Sequence, residues 1–208
     1  LVLAMMGRRA ILARGVLTDG DWINRAQVDL SRAVQGDLSD RRLGVQMLDV
    51  LSDRIGARAA VLYARDGDGH PLLAQWGADP ATLAPDAADQ GHLARAIANG
   101  QPVHLTLSPD QAVGWASGLA RGRAAHTLIV PLQDGSGVNG VLEFGFDHAP
   151  PARVLTLFDR MGDRLGIALR SARYRQQLRD LVDETRLQSE ELRAHGEELA
   201  ATNEELEE

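Results

Sequence analysis

Three stretches of the 208-residue chain place chemically useful residue types at suggestive spacings. Gly135, Gly137 and Gly140 form a literal G-x-G-x-x-G. Such a loop cradles a pyrophosphate only when a strand precedes it and a helix follows, so that helical amides meet the phosphates. Here an apolar run over 138–146 reads as a strand, and the glycines read as turn residues. Asp66-Gly67-Asp68-Gly69-His70 gathers two carboxylates and an imidazole within five residues. It lacks the third ligand, the placed glycine and the closing glutamate of a calcium loop, so it reads as a hairpin turn. The histidines His70, His92, His104, His126, His148 and His195 form neither His-x-x-x-His nor His-Glu-x-x-His, so a metal centre would have to be assembled across the fold. Ser117, in Ala116-Ser117-Gly118, lacks the flanking glycines of a nucleophile elbow.

Composition narrows the chemistry further. Cysteine is absent, which removes thiol nucleophiles, thiolate metal sites, disulfides and thioether-linked chromophores. Lysine is absent too, all 22 basic residues being arginine, so neither a phosphate-loop lysine nor Schiff-base chemistry is available. No acid, base and nucleophile assemble, which disfavours an enzyme, and the sequence requires no cofactor and no metal. Four residues stand out as polar or aromatic positions on strands otherwise built from small and aliphatic side chains: Tyr63, Trp76, His126 and Glu143. Convergent polar groups in an apolar wall are what a small-molecule pocket needs.

The elements that would position them follow from periodicity. Helical spacing predicts helices over 22–34 and from Ser39 to Ile55, the second closed by Gly56. Residues 58–64 and 71–76 predict a hairpin around the Asp-Gly turn, 90–99 a short helix ended by Gly100, and 101–107 a third strand. The connection 108–123 has weak helical character around Trp115. Two apolar runs, 126–132 and 138–146, flank a turn at 133–137, and a helical stripe runs on from Pro151. An antiparallel sheet of five to six strands flanked by helices, an α+β fold, is expected.

The terminal stretch has its own pattern. Leu178, Thr185, Leu192, Leu199 and Leu206 recur every seven residues, with Leu181, Val182, Gln188, Ser189, His195, Gly196, Thr202 and Asn203 three and four positions later. That is a coiled-coil seam, leucine-rich on one side and largely polar on the other, able to pair without a permanent lock. Leu178, Leu181, Thr185, Leu192, Leu199 and Leu206 are the expected dimer contacts. The heptads stop in mid-repeat, so the segment is expected to continue into an output part. From Gln176 onward three arginines face eleven acids, a net −8 that exceeds the whole-chain −7, so the acidity belongs to a solvated helix face. It argues against a nucleic-acid partner. The opening apolar residues meet Gly7, Arg8 and Arg9 well short of the ~20 residues a membrane span requires, so no direct membrane insertion is expected.

In order and spacing these segments resemble a GAF domain of the kind found in bacterial sensor histidine kinases. The resemblance rests on the helix with Trp22 and Gln35-Gly36-Asp37-Leu38, on LDVLSDRIGARAAVLY, GHLARAIANGQPVHL and WASGL, and on LIVPL with GVNGVLEFGF. It ends with the helix leading to EELRAHGEELAATNEELEE. It implies a GAF/PAS-like sensory domain over 20–174, a linker helix over 1–19 and a signalling coiled coil over 175–208. It further implies a cytoplasmic homodimer joined through its N- and C-terminal helices. In such proteins a kinase follows in cis and an upstream relay and membrane segment commonly precede, so the resemblance implies a parent protein anchored at the inner membrane. The same resemblance puts His104 and His126 near the ligand cavity and lets Trp115, Ser117 and Leu119 border it. Packing is the commoner role for Trp115, and hydrogen-bonded structural duty for the histidines. Glu143 is common in the family, as ligand contact or as structural acceptor. The missing cysteine excludes covalent bilin and thiol-based sulfoxide reduction, and no Asn-Lys-Phe-Asp-Glu signature of cyclic-nucleotide binding is present. Two other readings stand beside a ligand sensor: a ligand-free relay and dimerisation module, and, less favoured, a small-molecule-transforming enzyme.

Overall fold

The computed structural model describes residues 19–87, 91–108, 113–116 and 120–207. Helix α1 covers 19–33, and α2 spans Asp40–Ile55. Ser39 caps α2 by accepting from the Arg42 N–H, and Gly56 closes it in the left-handed region at φ 72°, donating to the Ser52 carbonyl. The predicted stripe of α2 is the buried one: Leu43, Met47, Leu48, Leu51 and Ile55. Burying each such side chain is worth about 1.5–3 kcal/mol.

Strands β1 (Ala59–Ala64), β2 (Leu72–Trp76), β3 (Val103–Thr106), β6 (His126–Asp134) and β7 (Gly137–Phe146) form one antiparallel sheet in the order β2-β1-β7-β6-β3. β1 is buried along its whole length because both of its faces are covered, which explains a continuous apolar run where a half-exposed strand would alternate. One face carries Ala60, Leu62, Leu128, Val130, Leu142 and Phe144 under α1, α2 and the long helix α4 (Ala152–Glu207). The other carries Val61, Tyr63, Ile129 and Val141 under α3 (Gly91–Asn99) and the loops around it.

The connection after β3 differs from its expected weak helix. Val113–Ala116 is strand β4, paired antiparallel with β5, Arg121–Ala124, in a separate two-stranded ribbon. Trp115 lies directly opposite Gly122, and a Cβ there would stand 2.5 Å from the indole ring. The ring needs the bare backbone, and cross-strand packing overrides local helical tendency. Ser117, Leu119 and residues 1–18 lie outside the described residues. The turn between β6 and β7 is tighter than the expected 133–137, since Gln133, Asp134 and Gly137 all pair within the hairpin.

Helix α4 runs for 56 residues, about 84 Å at 1.5 Å per residue. Its buried face, from Val154 through Phe158, Leu165 and Leu169, ends at Ala172. Two glycines let it lie close on the sheet. A Cβ at Gly166 would collide with the Gln133 backbone, and one at Gly140 would come within 2.6 Å of Leu169. Arg175 and Arg179 pair with Asp37, tying α4 to the turn between α1 and α2. Among the described residues no helix is long and apolar enough to cross a membrane.

Candidate functional site

Strand alternation builds a cavity of about 260 Å³ between the sheet and α3. Tyr63 and Val61 reach it from β1, Thr127 and Ile129 from β6, Glu143 from β7, and His92 and Leu93 from α3. Ala78, Leu83, Ala84 and Leu105 add to the wall. Glu143 stands between two aliphatic cross-strand partners, Val61 and Ile129. Burial pushes its carboxyl up to about 7, and the Thr127 hydroxyl beside it holds back part of the rise. That hydroxyl is itself buried with no hydrogen bond of good geometry. Tyr63 is 1% exposed; burial, then the charges of Glu143 and Asp86, lift its phenol to about 12 against a hydrogen bond from the Ala84 backbone. The cavity therefore presents a neutral phenol, a buried hydroxyl and a carboxyl raised to about 7 inside a largely aliphatic shell.

Of the residues singled out from the sequence, Tyr63 and Glu143 meet in this cavity. Trp76 pairs with Ala60 and so faces the helical layer, where its indole Nε1 donates to Asp49 of α2 at 3.2 Å. His104 pairs with Leu128, a residue of the helix-side core, which puts it on the face opposite the cavity. His126 lies there too, its ring stacked on His104 at 5.6 Å and its Nδ1 3.3 Å from Thr106 Oγ1. Trp115 packs beside the cavity-side cluster without lining the cavity, under the Arg58 guanidinium 5.8 Å from its ring centre. Sequence reasoning missed Thr127, His92 and Ile129. The only available signal was alternation from Thr127 to Ile129, whose face cannot be assigned without the pairing register.

A second polar cluster joins the β6–β7 hairpin to α4. The Asp134 carboxylate, its side chain wholly buried, accepts from Ser136 N (2.7 Å), Ser136 Oγ (2.5 Å) and Asn139 Nδ2 (2.6 Å), and pairs with Arg170 at 3.1 Å. Burial alone would raise this carboxyl, but the Ser136 hydrogen bonds, Arg170 and Asn139 together bring it below the usual range. Asn139 also donates to the Gly166 carbonyl at 2.7 Å. The Asp66 turn is structural: Asp66 and Gly69 bond each other, and Asp66 pairs with Arg173 of α4 at 3.2 Å. His70 is buried behind it, its backbone N–H donating to Asp86, and burial lowers its imidazole although Asp86 works the other way. No group of three or more metal-ligating side chains forms among the described residues.

Comparison with known proteins places this architecture. A family model described as a GAF domain matches residues 38–170. No curated protein matches the sequence. Among solved structures, the chain is similar to the GAF domain of a phosphoenolpyruvate-protein phosphotransferase from Coxiella burnetii, at 14% identity and TM-score 0.60, covering 74% of this chain and 96% of that one. It is also similar to a free methionine-R-sulfoxide reductase from Neisseria meningitidis, at 16% identity and TM-score 0.57, covering 76% and 93%. A third is the GAF domain of a protein described as a sensor histidine kinase from Pseudomonas syringae, at 15% identity and TM-score 0.54, covering 84% and 98%.

Proposed function

The chain belongs to the GAF domain family, and from that membership we propose that it is the sensory module of a two-component sensor histidine kinase. In this reading a ligand-dependent change passes through a parallel homodimer to a kinase in the same polypeptide. The observation that carries the reading is α4. One uninterrupted helix packs on the sheet as far as Ala172 and then leaves it with an uncovered apolar seam. Ile167, Tyr174 and Leu181 are exposed at heptad spacing, so the seam begins inside the domain and continues through Leu178 and Leu192. A second copy is the natural cover for such a stripe. The exposed Val28 of α1 lines a surface groove with Arg164 of α4, which adds α1 to the same face.

The cavity has a mechanical route to that helix. Gly91, His92 and Leu93 of α3 line it, and the Gln133 side chain donates to the carbonyl of Gly100, where α3 ends. The backbone of Gln133 in turn lies against Gly166 of α4. A ligand that moves α3 therefore loads a contact with no spare volume, and α4 must shift or rotate to relieve it. An open, polar-tipped cavity favours a ligand sensor over a ligand-free relay. With no cysteine in the chain, the thiol route of a reductase is closed.

Light scattering and single-cysteine cross-linking test the proposal. The full chain should be a dimer at micromolar concentration, and Leu181→Glu with Leu192→Glu should make it monomeric. A Gln188→Cys substitution, adding the only thiol, should cross-link to its counterpart in the second copy under mild oxidation. A monomeric full chain at high concentration, or a seam that pairs antiparallel and leaves that thiol unlinked, refutes the dimer relay.

A further inference from the structure

Resting on the reading of the cavity as the ligand site, we infer that its ligand is a small organic cation, an aliphatic body ending in an ammonium or amidinium head that meets Glu143. The sign of the charge follows from the lining. Among the described residues no arginine lines the cavity, and the chain has no lysine. The basic side chain that does line it, His92, is exposed, so an anion would be taken out of water beside a carboxylate with no arginine or lysine to meet it, an arrangement that buried sites do not tolerate. A cation instead supplies the counter-charge for Glu143, which stands between Val61 and Ile129.

The second observation is the hydroxyl beside that carboxylate. Thr127 is 2% exposed and lines the cavity beside Glu143, its hydroxyl making no hydrogen bond of good geometry. Its O–H is the group that holds down the Glu143 carboxyl, which leaves the oxygen lone pairs for a donor from the cavity. Thr127 is on β6, adjacent to Glu143 on β7, and a head group carrying two or more N–H bonds can serve both acceptors at once. Val61, Leu93, Leu105 and Ile129 give the cavity an aliphatic wall, to which Tyr63 adds a phenol and His92 an imidazole. A cavity of about 260 Å³ has room for a short aliphatic amine.

The test uses the full chain at pH 8, above the value of about 7 to which burial lifts the Glu143 carboxyl. Butylammonium, butanol and butyrate share one body and differ in the head, and calorimetry with saturation-transfer NMR ranks them. Butylammonium should bind at least about tenfold more tightly than butyrate and more tightly than butanol. Glu143→Gln should weaken butylammonium about tenfold or more while leaving butanol within about twofold, the loss expected for a hydrogen bond to a charged group. Thr127→Val, which keeps the shape of the side chain, should weaken butylammonium severalfold and serves if the first variant does not fold. Butyrate binding as tightly as butylammonium, or ammonium binding indifferent to both variants, overturns the inference. Selective ammonium binding that leaves the Gln188→Cys cross-link unchanged keeps the ligand class and instead refutes the relay.

Discussion

Glu143 holds an energetic signature that can be read without any ligand. In the unfolded chain its carboxyl titrates near 4.5, and burial in the folded domain raises this to about 7. Between those values the unfolded chain gives up a proton that the folded chain keeps, so stability falls as pH rises through that window. Below pH 4.5 both states are protonated and there is no penalty; above 7 the whole of it is present. At 1.36 kcal/mol per pK unit, the raised value corresponds to about 3 kcal/mol. Glu143→Gln cannot ionise and should escape it. Urea unfolding of the two proteins should show a difference near its minimum at pH 4.5 and a relative gain for the variant of about 3 kcal/mol by pH 8. At 2–4 °C per kcal/mol for a chain of this size, thermal melting at pH 8 should rise by about 6–12 °C. Other titrating groups are common to both proteins and cancel. A stability difference that stays constant from pH 4.5 to 8 would show that Glu143 ionises freely in the native state, and the desolvated-cavity argument would fall with it.

The remaining predictions concern the seat of α4 and the two sheet faces. Gly166→Ala improves helix propensity by about 1 kcal/mol but drives a methyl into the Gln133 backbone, so a net loss of about 2 kcal/mol or more is expected in urea unfolding; a gain would contradict the close approach. Asp134→Asn removes the anion from the Ser136, Asn139 and Arg170 cluster and should cost about 2–3 kcal/mol at pH 7. Because the folded Asp134 carboxyl lies below its unfolded 3.8, its contribution is present above that value and lost as pH falls through the folded one, so the deficit should shrink in acid. Trp76→Phe gives up a hydrogen bond to Asp49 and should cost about 1 kcal/mol while leaving butanol binding unchanged, since the ring lies on the helix side of the sheet.

The sequence by itself determined the elements wherever one residue sets the local backbone. Ser39 and Gly56 bound α2, Gly100 follows the end of α3, and the Asp66 to Gly69 turn separates β1 from β2, because caps and turns depend on nearest neighbours. The heptads of α4 were legible for the same reason, and so were Tyr63 and Glu143, as polar residues on strands otherwise made of small and aliphatic side chains. Only the tertiary structure decided which face each strand turned where. Between Leu132 and Gln133 the register of β6 against β7 shifts, leaving Asn139 as an extra residue without a partner. Carried on from the turn without that bulge, the pairing would set Glu143 opposite Leu128, in the helix-side core. With it Glu143 pairs with Ile129 and faces the cavity, while Asn139 turns to Asp134 and Gly166. Trp76, His104 and His126 drew the same sequence-based expectation as Tyr63 and ended on the other face, since strand chemistry names neither side of a sheet until its pairing is known. The ribbon of β4 and β5 was hidden for a related reason: the partner that makes Trp115 a strand residue is Gly122, and only their juxtaposition gives either its role.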